Sequence, residues 1–184
     1  ASGKWPRAAL SAGRETAGKT LGLVGFGSIG QLTATRARAL GMEVIAHDPL
    51  LGAGHPAYAA AGVRAAGLDE VVRAADVVSL HVPLVESTRN LFSAARIASM
   101  KPGAVLVNTA RGGIVDEVAL VRALKDGHLA GAAIDVFAAE PLPASPHFED
   151  CPNLILTPHV AGVTAEANER VSFLIADKVL EALA

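Results

Sequence analysis

Apolar residues fall in short continuous runs along this chain, and between the runs they recur at helical spacing. Thr20-Leu-Gly-Leu-Val24 is the first run and ends in glycines. From Ser28 to Leu40, Ile29, Leu32 and Leu40 recur among small residues, which predicts a helix. Glu43–His47 predicts a second strand, and Asp69–Ala75 a short helix with Asp69 as its N-cap. Asp76–Val82 is a strand stopped by Pro83. Thr88–Met100 is helical up to the break at Lys101-Pro-Gly103. The alternation continues with a strand at Ala104–Asn108 and an amphipathic helix at Asp116–Asp126 closed by Gly127. Strands at Ala130–Val136 and Leu154–Thr157 follow, and a long final helix from Thr164 to Ala184.

Strands that are apolar throughout are buried on both faces. Alternating with helices, they predict an α/β fold: a doubly wound, mostly parallel sheet in three layers with right-handed crossovers. Ligands of such sheets bind beyond the carboxyl ends of the strands. The chain divides into a polar leading segment at 1–19, a core domain at 20–163 and the final helix at 164–184.

Composition narrows the function classes. With 51% hydrophobic and 18% charged residues over 184, the chain can build a core and is not expected to be disordered. A net charge of -2 lacks the basic footprint of a nucleic-acid binder. A single cysteine, Cys151, excludes a disulfide framework, and no His, Cys or acidic spacing suits a metal. No apolar run is long enough to span a bilayer and no basic-then-apolar leader is evident, so no membrane association and a cytoplasmic location are expected. The first residue is alanine, which raises the expectation of a fragment.

Gly25-Phe-Gly27-Ser-Ile-Gly30 is a G-x-G-x-x-G that follows a predicted strand and opens a predicted helix. Gly25 permits the tight turn, Gly27 lets a pyrophosphate approach the backbone, and Gly30 lets helix and strand pack closely. Asp48 stands 18 residues after Gly30, at the end of the next predicted strand. Its carboxylate suits the two hydroxyls of an adenosine ribose and repels a 2′-phosphate, which favours NAD over NADP. No Arg or Lys occurs between Asp48 and Arg64 to offset that repulsion. A structural glycine turn followed by a surface aspartate is the competing reading.

Three polar residues follow other predicted strands. Arg111, in Asn-Thr-Ala-Arg-Gly-Gly, reads equally as a solvated arginine or as a fork for a carboxylate. Glu140 alone reads better as a loop carboxylate, and His159 alone as a packed histidine. In combination they acquire a chemistry. Hydride transfer to a carbonyl needs a proton donor, a carboxylate to orient it and a cation on the substrate. His47 and His81 flank strand ends near the expected cofactor, whereas His55, His128 and His147 read as loop residues; Cys151 reads as inert.

The chain resembles the NAD-binding domain of the D-isomer-specific 2-hydroxyacid dehydrogenases. The resemblance rests on Leu21–Gly30, Leu80–Leu84 with Thr88-Arg89, Met100–Gly113, Ala133–Phe137 with Glu140-Pro141, and Leu156–Gly162, in the family's order. It implies Arg111 as the substrate-binding arginine, His159 as acid/base and Glu140 as its partner. Glu140, in place of the glutamine of formate dehydrogenases, points to a 2-hydroxyacid branch, phosphoglycerate dehydrogenase-like. Ser28 and Ile29 would lie under the pyrophosphate. Val82, Pro83, Thr88, Thr109, Ala110, Arg111, Asp135, His159 and Gly162 would line the adenine or nicotinamide sides. The resemblance also implies a 2-hydroxy or 2-oxo acid substrate, such as 3-phosphoglycerate, hydroxypyruvate, sulfolactate or lactate, and a homodimer formed through this domain. The family's separate substrate domain has no counterpart here. Trp5 and the residues around it resemble the crossing from that domain, and 164–184 the helix that returns to it. Two other expectations stay open: a dinucleotide-sensing, corepressor-like module without turnover, and a dimerisation scaffold that needs no Asp48.

Overall fold

The computed structural model describes Trp5, Arg7, Ser11, residues 13–144 and residues 146–183, so much of the leading segment 1–19 lies outside the described residues. Seven strands form one sheet: β1 (Thr20–Val24), β2 (Glu43–His47), β3 (Arg64–Ala65), β4 (Val77–Leu80), β5 (Val105–Asn108), β6 (Gly131–Ile134) and β7 (Leu154–Leu156). Their order is β3-β2-β1-β4-β5-β6-β7 and every pairing is parallel. This is the expected doubly wound, Rossmann-type sheet. The winding reverses between β1 and β4, which opens a crevice at their carboxyl ends.

Alternation along the strands divides the core in two. Leu21 and Leu23 of β1 and Val44 and Ala46 of β2 meet α1 (Ser28–Ala39) and α2 (Pro56–Ala61) on one face. Val24, Ile45, Val78, Leu80, Leu106 and Ile134 face α3 (Leu68–Ala74), α4 (Ala94–Ala98) and α5 (Glu117–Lys125) on the other. Gly22 is where α3 rests: a Cβ there would stand 2.7 Å from both Ala75 Cβ and Val71 Cγ1.

Four local expectations are corrected. Helix α3 starts at Leu68 with Gly67 as its N-cap; Asp69 lies in the first turn, where it complements the helix dipole and pairs with Arg73 and Arg96. The helix expected over Thr88–Met100 is a 3-10 turn (Glu86–Thr88) followed by the five residues of α4. Between them Asn90 adopts φ 51° and the fully buried Phe92 bridges to Val115. The chain here exchanges bonds with the next loop (Phe92 N–H to Ile114 O, 2.9 Å; Asp116 N–H to Phe92 O, 3.0 Å), and that pairing outweighs the helical periodicity. The stretch between Asp48 and Leu68, for which the apolar pattern predicts no helix, contains α2; His55, in the loop as expected, is its N-cap, and its Nδ1 accepts the Ala57 N–H at 3.3 Å. Finally, the strands are not all buried on both faces. Val105, Val107 and Ala133 are half-buried and Ile155 is 63% exposed, because α1 and α2 reach only across the β1–β2 half of their face.

The remaining helix, α6 (Ala165–Leu183), has no buried residue. No helix among the described residues is long and apolar enough to cross a membrane.

Candidate active site

The glycine turn crosses the switch point. Gly25 has φ +96°, and a Cβ on it would lie 2.5 Å from the His81 carbonyl oxygen at the end of β4, so only glycine fits. Gly30 packs against the Gly25 carbonyl, with no room for a side chain. Gly27 faces open space and is the N-cap of α1, whose first N–H groups are left by helix geometry without intrahelical acceptors. This is a cradle that a pyrophosphate fits, bounded by Ser28 and Ile29, which are both exposed.

Asp48 closes one side of the cradle. Its Oδ2 accepts the Phe26 N–H at 2.8 Å and its Oδ1 accepts the Leu50 N–H at 2.9 Å. The carboxylate is therefore fixed in orientation by the backbone. Beneath it Phe26 stacks on Tyr58 with ring centroids 4.8 Å apart. His47 Nδ1 lies 3.3 Å from the Ala66 carbonyl oxygen, and His81 Nε2 lies 3.0 Å from Ser79 Oγ. Burial pushes the His81 imidazole below its ordinary range.

On the far side of the switch point, Val82 is buried and the Pro83 carbonyl accepts the Thr88 hydroxyl at 2.6 Å, which shapes the turn after β4. After β5, Thr109 is exposed and Ala110 half-buried. Arg111 is exposed, with one guanidinium nitrogen on the Ala110 carbonyl at 2.6 Å. The loop is shaped by Asn108, to which the sequence alone assigns no role. It is 1% exposed; its Oδ1 accepts the Ala110 N–H at 3.1 Å and its Nδ2 donates to the Arg111 carbonyl at 3.0 Å.

Glu140 and His159 meet across two loops. His159 Nδ1 is 2.7 Å from Glu140 Oε2, and Glu140 Oε1 accepts the Phe137 N–H at 2.9 Å. The bond to His159 and then the Phe137 amide hold the Glu140 carboxyl below its usual range. A carboxylate at Nδ1 requires the proton on that nitrogen, which leaves Nε2 free to accept or donate a proton. A cavity of 670 Å³ adjoins the pair, walled mainly by Phe137, Pro141, Leu142, Leu156 and Pro158.

Asp135, expected along the cofactor, is the clamp of the His159 loop. It is 2% exposed. Its Oδ1 accepts the Thr157 hydroxyl (2.6 Å) and the Val160 N–H (2.9 Å), and its Oδ2 accepts the Ala161 N–H (2.9 Å). Its main-chain carbonyl accepts the His159 N–H at 2.8 Å, and His159 is held at φ 56°. Gly162 follows, exposed and unobstructed. Among the described residues no cluster of His, Cys, Asp and Glu could hold a metal.

Residues 1–161 match the family model described as "D-isomer specific 2-hydroxyacid dehydrogenase, NAD binding domain". The chain belongs to that family and is its NAD-binding domain. It is 53% identical over 182 residues to the (S)-sulfolactate dehydrogenase of Chromohalobacter salexigens, covering 99% of this chain and 58% of that protein. It is 45% identical over 181 residues to the D-3-phosphoglycerate dehydrogenase of Mycobacterium leprae, covering 98% of this chain and 33% of that one. Among solved structures, the NAD-dependent formate dehydrogenase of Staphylococcus aureus in complex with NAD superimposes with a TM-score of 0.86 at 34% identity, over 99% of this chain and 54% of that chain. The family domain thus spans little more than half of its relatives or less, and its cofactor is NAD.

Proposed function

We propose that this domain is the cofactor half of a cytoplasmic dehydrogenase that interconverts a D-2-hydroxy acid and its 2-oxo acid. The observation that carries the reading is the Glu140–His159 pair, at 2.7 Å, on the same sheet edge as the dinucleotide cradle. NAD, when bound, supplies or accepts the hydride. Gly25–Gly30 hold its pyrophosphate and Asp48 its ribose. The turn from Val82 to Thr88 and the loop 109–111 line its two ends, with Asp135, His159 and Gly162 on the nicotinamide side.

In reduction, His159 Nε2 gives its proton to the carbonyl oxygen as charge develops there; in oxidation it takes that proton back. Glu140 keeps Nδ1 protonated and stabilises the imidazolium that exists before the proton leaves. Arg111 holds the substrate carboxylate and polarises the carbonyl with its fork of donors. The names of the relatives favour sulfolactate, 3-phosphoglycerate or hydroxypyruvate as the acid handled by the whole protein. The other wall of the cleft is assigned to a substrate domain outside these residues, toward which α6 returns. A homodimer would cover exposed apolar side chains such as Leu32 and Val118.

The test is NADH oxidation by the full-length protein against a panel of 2-oxo acids, with His159→Ala alongside. At least one acid is expected to be reduced, and the variant is expected to lose roughly a hundredfold or more in kcat while still binding NADH. Turnover that survives in the variant would overturn the assignment of His159. NADH binding with no turnover of any acid would favour the sensing module.

A further inference from the structure

One peptide unit lies between Arg111's loop and the catalytic pair, and it is gripped at both ends. The unit joins Phe137 to Ala138. Its carbonyl packs directly on Gly112, where a Cβ would collide with the Phe137 carbonyl oxygen. Its N–H, from Ala138, donates to Glu117 Oε1 at 2.7 Å. Glu117 is the first residue of α5 and its side chain is only 16% exposed. Gly112 and Glu117 belong to the same β5–α5 connection, so that connection grips the loop after β6 by backbone contact and by a carboxylate.

The consequence reaches Glu140. The Phe137 N–H, one peptide earlier, donates to Glu140 Oε1 at 2.9 Å, and the other oxygen of Glu140 holds His159 Nδ1. The torsions on either side of the Phe137–Ala138 peptide, ψ of Phe137 and φ of Ala138, set the path of the chain from the Phe137 N–H to Glu140, so rotating that peptide parts Glu140 from the Phe137 N–H. We infer that Glu117 is a positioning residue, which acts through the Phe137–Ala138 peptide to present Glu140 to His159, with Gly112 as the seat of that peptide. The role in catalysis rests on the function proposed above; the geometric role does not.

Other charges face this cluster. His147 Nε2 lies 3.9 Å from Glu117 Oε2, on a ring packed against Phe148. Asp135 and His159 both act on Glu140. None of them contacts the Ala138 N–H, which has Glu117 as its acceptor.

The experiment follows the Glu140 carboxyl by carbon NMR through a pH titration of the full-length protein. Wild type, Glu117→Ala, Glu117→Gln and Gly112→Ala are compared, with folding checked by circular dichroism. In Glu117→Ala the Glu140 midpoint is expected to rise by about half a unit or more, since the Phe137 N–H no longer points at its carboxylate. Glu117→Gln keeps an oxygen for the Ala138 N–H and is expected to restore the wild-type midpoint. Gly112→Ala displaces the same peptide from its other end and is expected to raise the midpoint as well, which keeps the inference testable if Glu117→Ala does not fold. Wild-type midpoints in both alanine variants would overturn it. Kinetics separate the two claims: if the titration behaves as stated while no 2-oxo acid is turned over, the positioning role stands and the enzymatic reading fails.

Discussion

Asp135 shows how much of the site is built by a residue that the reaction itself does not need to touch. Its carboxylate is out of solvent, which by itself favours the neutral form. The hydrogen bonds from Thr157, Val160 and Ala161 outweigh that penalty and hold the group ionised, below its ordinary range. A carboxyl whose folded pKa is depressed stabilises the fold above its unfolded pKa of about 3.9, and that stability is lost as pH falls through the folded value. Acid unfolding should therefore be steeper in wild type than in Asp135→Asn between about pH 5 and 2, as read by denaturant titrations at a series of pH values. The variant should also be less stable near neutrality by about 1–3 kcal/mol, because an amide cannot accept all three donors. At this scale His159, Glu140 and Arg111 are legible in the sequence only in combination, since each alone reads as an ordinary polar residue, whereas Asp48 is singled out by its offset from the glycine turn. Asn108 and Glu117 are not legible there, since they look like an ordinary turn former and a first-turn acid. Only the tertiary path of the loops reveals what their side chains hold.

At the level of elements, periodicity located every long strand and helix, and it failed where backbone pairing or brevity took over. Phe92 belongs to a bridge and not to a helix because its amide and carbonyl are taken by the loop at 114–116. Helix α2 has only six residues, too few for a periodic signal, although Pro56 at its start and Gly62 in the left-handed region at its end are the marks of a short helix. Close packing of elements makes its own demand at Gly22, whose missing side chain lets α3 lie on β1. Gly22→Ala should overpack this contact and lower stability by about 1–3 kcal/mol, visible as a lower Tm, with NAD affinity little changed because the glycine turn lies beyond the carboxyl end of the strand and Gly22 faces α3. A Tm equal to wild type would mean that α3 is not seated as closely as the 2.7 Å contacts imply.

For the whole molecule, binding and stability are linked through the switch point between β1 and β4. A ligand that binds only the folded form stabilises it, by about 2.7 kcal/mol at a hundredfold excess over Kd. NAD should raise Tm in thermal scans, and Asp48→Ala should remove most of that rise, since it takes away both the proposed ribose acceptor and the bond that fixes the Phe26 amide. An equal rise in the variant would contradict the assignment of Asp48 and favour the scaffold reading. The parallel sheet confines the chemistry to loops along one margin, while the opposite margin is stapled by Asp76, which binds Lys101 at 2.7 Å and the Thr20 amide at 2.9 Å. Loops on such a margin are usually exchangeable parts, free to vary one at a time without cost to the core. The seam at Gly112 and Phe137 withdraws that freedom for two of them: a graft of the β5–α5 loop from a relative should work only when the loop after β6 travels with it, so the pair is to be engineered as one cassette.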